Sequence, residues 1–437
     1  MTAERERLRR RLAADAKVGV ARWWARAKQI VTTDPTGSDE DDHIADQAAE
    51  RELARHAGTM KGGMAKVAQL LAYTSSGAPA ELRALWDNVP AAPAAAIARV
   101  IEDELGAPPA ELFARWDPRP LAAASLGQVH AAVDQDGREL AVKVQYPGVD
   151  VALAGDLASD GFARRLAGTE LGRELSADAV AAVRAAILAE TDYVAEAEAL
   201  RKVGAAWAGD PVIRIPDVIA ARSSRRVLTM SRAPGVPIAE LAADDPELAN
   251  AVAAAIVRFA WGTPLCHGLL NADPNPGNYL VERAGPDRHD VHVWFLDFGC
   301  TVTIDDPIAK GDLELWHGLL DPDAFAGAER FRMGLARLGL LKRIDSLSST
   351  AHRDWERALA EPFAGDRPFT WDRDYAERLT ETTRRALAAG GLALPAALTL
   401  LWRQRLGVAS VLAMLRPRLP FGRILQSQIG TGRAALR

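Results

Sequence analysis

Asp273 and Asn278 stand five residues apart in the run Asn271-Ala-Asp-Pro-Asn-Pro-Gly-Asn278, and nineteen residues further on an apolar run, Val293-Trp-Phe-Leu, ends in Asp297-Phe-Gly299. An Asp, an Asn and a second Asp in this order supply what transfer of a nucleotide γ-phosphoryl group asks of a protein. One carboxylate orients or deprotonates a hydroxyl, and an amide and a carboxylate hold magnesium on the phosphates. Asp-Phe-Gly alone is a weak signal and D-x-x-x-x-N a weaker one, but the pair at this spacing is specific. A polar surface loop followed by a buried strand accounts for either half taken alone.

That chemistry also needs a cation for the α- and β-phosphates and a loop to cover them. Residues 138–145 alternate in polarity and carry one lysine, Lys143, and Asp134-Gln-Asp-Gly137 before them is a hairpin signal. The covering segment is Ala122-Ala123-Ala124-Ser125, which reads as a loop leading into a strand; its methyl groups make it stiffer than a glycine loop. Residues 175–207 read as one long helix that places Asp192 and Glu196 on a single face, where like charges repel unless a cation neutralises them. Glu196 is the candidate ion-pair partner of Lys143; a solvated acidic face is the plain alternative. Residues 211–219 and 226–231 alternate as two strands. The second contains Met230, a candidate nucleotide contact, and leads to a hinge at 233–237.

Two short strands are expected at 279–282 and 292–296, and helices by apolar spacing at 321–341, 350–360, 374–389 and 394–415. Upstream, 59–72 and 91–106 read as helices, and Lys66 and Gln69 share a face at i, i+3. The expected organisation is a basic helix with an acidic linker at 1–50, a helical extension at 51–117, a strand-rich lobe at 118–232 and a helical lobe at 233–437.

With 49% hydrophobic and 25% charged residues and a net charge of −5, the composition is that of a soluble globular protein, and no basic domain suggests a nucleic-acid partner. Cys266 and Cys300 give neither a disulfide framework nor zinc spacing, which fits a reducing, cytoplasmic setting. Cys300 directly follows Asp-Phe-Gly and reads most simply as a small buried residue. No signal peptide is visible, and the apolar stretches 251–270 and 386–402 are interrupted by Arg258, Pro264 and Pro395. Charge is uneven: residues 1–30 hold nine Lys/Arg against three acids, and residues 401–437 hold seven Arg and no acid. These basic ends, with Trp23 and Trp24, are candidates for peripheral contact with an anionic membrane surface; a solvated helix face is the alternative.

Taken together, the chain resembles the UbiB/AarF family of atypical, protein-kinase-like proteins from about residue 55 to about residue 425. Lys66-Val-Ala-Gln69 looks like the family's K-x-G-Q motif, and Ala122-Ala-Ala-Ser-Leu-Gly-Gln-Val-His130 like its Ala-rich nucleotide loop. Ala141-Val-Lys143 looks like its lysine strand, and Glu190-Thr-Asp192 like its E-x-D helix. The resemblance implies an α+β, two-lobed kinase-like fold with an N-terminal helical extension over the site, and ATP with Mg2+ as ligands. In that reading Lys143 binds phosphate and Glu196 orients it. Asn278 and Asp297 hold magnesium, and Asp273 positions the attacking group. Ala122, Ala123, Ala124, Ser125 and Met230 line the nucleotide, and Lys66, Gln69, Glu190 and Asp192 shape its γ-phosphate side. It further implies ATPase or small-molecule phosphotransfer rather than ordinary protein phosphorylation, and a link to isoprenoid quinone (ubiquinone) biosynthesis or lipid homeostasis, with a lipid or quinone precursor as a candidate partner. The chain departs from the family at Ala68 (a glycine), at Asn271 and Asn275 (histidines) and at Ser231 (commonly Glu). A small-molecule kinase and a nucleotide-binding pseudokinase scaffold are the rival readings.

Overall fold

The computed structural model describes residues 92–124, 126–150, 188–241, 245–285, 290–341, 349–393 and 395–435, with isolated positions between them. The expectations for residues 1–91, including Lys66, Gln69, Trp23 and Trp24, and for Ser125, fall outside the described residues.

Helix α1 (Ala94–Leu105) ends at Gly106, whose φ of 80° is open to glycine without strain. Its apolar spacing buries Ile97, Val100 and Ile101 against Leu140, Val142, Val144 and Val227 of the neighbouring sheet. After a one-turn helix α2 (Pro109–Leu112) come β1 (Arg115–Ala124), β2 (Gly127–Val133) and β3 (Glu139–Gln145). With β5 (Val227–Ser231) they form an antiparallel sheet in the order β1-β2-β3-β5. The alanine run expected as a loop is instead the end of β1, with Ala124 paired to Gly127. Alanines tolerate an extended backbone, so the strand runs on through them. Gly127 is required, because a Cβ would lie 2.2 Å from the Val144 carbonyl oxygen of β3.

The single helix expected over 175–207 is interrupted: the described positions 181, 184, 185, 188 and 189 are helical, but residues 190–192 are not. Helix α3 starts afresh at Tyr193 and runs to Ala206, because the Asp192 side chain accepts hydrogen bonds from the Val194 and Ala195 amides and so caps it. Asp192 therefore precedes the helix instead of sharing a face with Glu196. Of residues 211–219 only β4 (Ile213–Arg214) is a strand, and it joins not β5 but the second lobe, in parallel with β9. The hinge carries Gly235 at φ 108°, where a Cβ would meet the Val281 carbonyl oxygen at 2.4 Å. The chain then enters β6 (Val236–Pro237), which pairs with β8. The second lobe is thus stitched to the first both before and after β5.

Helix α4 (Pro246–His267) is capped by Asp245 and closed by Gly268 in the left-handed conformation. It is apolar on nearly every side because it is the core of the second lobe. Among the described residues it alone has the length and composition to cross a membrane, yet 72% of its most apolar window is buried inside the protein. Strands β7 (Leu269–Asn271), β8 (Tyr279–Arg283), β9 (Val291–Phe295) and β10 (Thr301–Thr303) follow. They form the pair β7/β10 and the sheet β4-β9-β8-β6. The remaining helices are α5 (Asp306–Leu319), α6 (Ala324–Arg337), α7 (Thr350–Ala360), α8 (Arg373–Ala388), α9 (Ala396–Leu415) and α10 (Phe421–Ala435).

Candidate active site

Lys143 lies in the middle of β3, in register with Val129 on β2 and Leu228 on β5. Two flanking strands and the Tyr193 ring, 5.1 Å from its ammonium, fix its direction. Its Nζ donates to both carboxylate oxygens of Glu196, at 2.7 and 2.9 Å, and to Asp297 Oδ2 at 3.0 Å. Glu196 comes from α3 and Asp297 from the turn after β9, so three separate elements converge here. Burial alone would lower the proton affinity of Lys143, but Asp297 and Glu196 raise it well above the ordinary lysine value, so it is charged at neutral pH. Burial pushes the Glu196 carboxyl up, against the pull of Lys143. Among the described residues, two carboxylates thus face one ammonium.

The Asp-Phe-Gly turn is held from several sides. Its Phe298 amide reaches Glu196 Oε1 at 3.4 Å, and the Gly299 amide donates to Asp297 Oδ1 at 3.0 Å. The loop carrying Asp273 is fixed to it by Asn271, whose Nδ2 donates to the Asp297 carbonyl oxygen at 2.8 Å while its Oδ1 accepts from the Asp273 amide at 3.1 Å. Asn275 accepts from the Gly277 amide at 2.9 Å and so caps the turn that presents Asn278. The two asparagines that replace histidines thus do the loop's internal bonding themselves. Asn278 Nδ2 donates to the Asp273 carbonyl oxygen at 3.2 Å, which leaves its side-chain oxygen as the atom to offer a cation. No cluster of three or more His, Cys, Asp or Glu among the described residues could hold a metal by itself. One carboxylate and one amide oxygen fit a magnesium ion that takes its other ligands from phosphate and water.

Of the other expected site residues, Ala122 and Ala123 are exposed and Ala124 half-buried at the end of β1. Met230 is buried near the end of β5, where the chain leaves for the hinge. Ser231, in place of the family's glutamate, bonds back to Asp217: its Oγ accepts from the Asp217 amide at 2.9 Å. Glu190 is buried beside Gly299, where an added Cβ would meet its Cγ at 3.6 Å. The Cys300 thiol donates to Glu190 Oε1 at 2.7 Å. Asp192 faces its own helix end.

Arg403, expected with the basic end on a solvated face or at a membrane surface, is instead buried beside Asp273. It is 3% exposed and donates from Nη2 to Asp273 Oδ1 at 2.9 Å. Arg405 is equally internal, paired with Asp312 at 3.0 Å. Arg403 and Arg405 are therefore core residues. The available signal was Arg-Gln-Arg at 403–405 in an otherwise apolar helix, since charged residues inside such a run need buried partners.

Residues 84–329 match the ABC1 atypical kinase-like domain. The chain belongs to that family, the UbiB/AarF proteins. The fold is accordingly kinase-like, with the sheet β1-β2-β3-β5 in the N-lobe and α4 to α10 in the C-lobe. Among UbiB/AarF relatives, the atypical kinase COQ8 of Saccharomyces cerevisiae, named as mitochondrial, is 30% identical over 314 residues, 70% of this chain and 61% of COQ8. The Mycobacterium tuberculosis protein Rv0647c is 33% identical over 354 residues, 77% of this chain and 68% of that protein. The chain thus spans about three-fifths of the length of COQ8. Among solved structures, the Rv3197–erythromycin complex of M. tuberculosis superposes with a TM-score of 0.61 at 27% identity, covering 91% of this chain and all of that one.

Proposed function

We propose that the protein binds Mg–ATP between its lobes and transfers the terminal phosphoryl group to water or to the hydroxyl of a small molecule. The observation that carries this reading is Lys143 held between Glu196 and Asp297 at 2.7 and 3.0 Å in a buried cleft-side position. Lys143, oriented by Glu196, meets the α- and β-phosphates. Asn278 and Asp297 hold magnesium, which neutralises charge developing on the phosphates. Asp273 positions the attacking oxygen. The bond between the terminal phosphorus and the bridging oxygen breaks as the acceptor oxygen bonds to that phosphorus; ADP leaves, and the acceptor proton passes to Asp273 or to solvent. Ala122–Ala124, Met230, Glu190 and Asp192 belong to the nucleotide's surroundings in this reading, as do Ser125, Lys66 and Gln69.

Family membership favours an ATPase or small-molecule phosphotransferase serving isoprenoid quinone biosynthesis or lipid homeostasis over a protein kinase. A small-molecule acceptor draws further support from Rv3197, which was solved with erythromycin. Contact with an anionic membrane, if the basic ends make it, excludes the buried Arg403 and Arg405. The test is magnesium-dependent ATP hydrolysis with and without anionic liposomes, beside Asp273→Asn. Turnover that requires Asp273 supports phosphoryl transfer. Bound nucleotide with no turnover, in any lipid, supports the pseudokinase scaffold instead.

A further inference from the structure

Four buried polar groups from four segments form a line from the C-lobe to the segment before α3. Asp273 is 5% exposed, Arg403 3%, Cys300 4% and Glu190 8%. Arg403 Nη2 donates to Asp273 Oδ1 at 2.9 Å, and its Nη1 to Cys300 Sγ at 3.7 Å. The Cys300 thiol passes its own hydrogen to Glu190 Oε1 at 2.7 Å. A guanidinium fork can reach two acceptors on different segments at fixed angles, as an ammonium cannot. Here the two acceptors belong to the loop with Asp273 and to the residue that follows Asp-Phe-Gly.

The helix that supplies the arginine is shaped for the same loop. Gly407 lies one turn beyond Arg403 on α9, on the same face. A Cβ at Gly407 would sit 2.2 Å from Cγ of Pro274, the residue after Asp273. The helix therefore touches the loop twice, once by a charge and once by a backbone approach that excludes any side chain. Both contacts come from beyond residue 329, where the match to the family domain ends. A buried ion pair is a poor source of net stability, because desolvation cancels most of the attraction. What such a pair fixes well is geometry.

We infer that Arg403 and Cys300 are positioning residues of the phosphoryl-transfer site. Arg403 aims the Asp273 carboxylate at the attacking oxygen, and through the Cys300 thiol it keeps Glu190 against the Asp-Phe-Gly turn. This rests on the phosphoryl-transfer reading given above. Arg403 does not touch nucleotide and acts through Asp273, so its loss lowers turnover without weakening nucleotide binding.

The experiment is a double-mutant cycle on the full chain, reading both Mg–ATP hydrolysis and Mg–ADP affinity. Arg403→Met is expected to reduce kcat by about 100-fold, the scale of a misplaced catalytic group, with ADP affinity unchanged. Arg403→Lys keeps the charge and the fold but not the fork, and recovers part of the rate. In an Asp273→Asn background Arg403→Met removes nothing further from the residual rate, since both changes break one interaction. Cys300→Ala gives a smaller loss of the same kind. If Arg403→Met does not fold, Arg403→Lys carries the cycle. Equal losses from Arg403 substitution in the wild-type and Asp273→Asn backgrounds, or a parallel loss of ADP affinity, would overturn the positioning role. Wild-type turnover untouched by Arg403→Lys and Cys300→Ala overturns it too. Absence of turnover in the wild type overturns the phosphoryl-transfer reading first, and this inference with it.

Discussion

Two buried ion-pair clusters in this protein differ in a way that separates a site from a strut. Arg405 and Asp312 meet at 3.0 Å with both side chains at least nine-tenths buried. The remaining bonds are local: Arg405 donates to the Ala260 carbonyl oxygen at 2.9 Å, Trp316 Nε1 donates to Asp312 at 3.0 Å, and the Trp261 ring covers the guanidinium at 4.2 Å. One positive charge meets one negative charge under an aromatic roof. Lys143 instead meets two carboxylates, one of which, Asp297, keeps 28% of its side chain exposed. The first cluster is charge-balanced and shut. Among the described residues the second sets two carboxylates against one ammonium at an exposed edge, an arrangement open to a magnesium–nucleotide complex.

The comparison is broken most severely at Lys143. Lys143→Met removes the ammonium that lies between the Glu196 and Asp297 carboxylates; Mg–ATP turnover is expected to fall by at least about 1,000-fold, the scale of losing an essential charged group. A single-turnover assay with labelled ATP checks it. Asp312→Asn inverts the pattern: it strands the Arg405 charge and should cost about 3–5 kcal/mol of stability. In the protein that remains folded, nucleotide affinity stays at the wild-type value, as thermal and chemical denaturation alongside nucleotide titration would show. Gly407→Ala sharpens the boundary between the clusters, because its methyl must displace Pro274. An overpacking cost of about 1–3 kcal/mol is expected, with turnover falling more than nucleotide affinity. Asp192→Ala tests whether that acid does more than cap α3. A pure cap loses about 1 kcal/mol and no turnover; a larger loss of turnover than of stability would place it in the nucleotide's surroundings.

Much of this was legible in the sequence, and the reasons are local. Lys143, Asp273, Asn278 and Asp297 each sit in a short motif whose residue types and spacing already imply their neighbours. The strands around them alternate as half-buried strands should. The start of α3 is hidden because apolar spacing continues past a residue whose side chain satisfies the helix's own amides. Asp directly before Tyr-Val-Ala is the available N-cap signal. The Arg403–Asp273 contact was beyond reach for a different reason. It closes across 130 residues, and neither partner carries a local mark of the other. The pairing of β4 with β9 is hidden in the same way, since alternation shows that a segment can be a strand and not which sheet receives it.

The smallest expected effect lies in the N-lobe. His130 donates from Nδ1 to the Asp117 carbonyl oxygen, so its Nε2 accepts from Gln128 at 2.8 Å, and the ring stacks on Trp116. Burial lowers its proton affinity below the ordinary imidazole value of 6.5, the Asp117 bond opposing. The unfolded chain then binds the proton more tightly, so stability falls as the pH drops through about 6.5 and is level above it. His130→Gln should flatten that slope in denaturant melts taken between pH 5 and 8, leaving the Lys143 cluster untouched.

The most direct measurement is calorimetric titration of Mg–ATP into the wild-type protein and into Asp297→Asn, which removes a proposed magnesium ligand and one of Lys143's two carboxylate partners. The expected result is saturable binding to the wild type, dependent on magnesium, and a loss of affinity of at least tenfold in the variant, about 1.4 kcal/mol or more. Equal affinity in the two proteins would contradict the assignment of the Lys143–Glu196–Asp297 cluster as the nucleotide site.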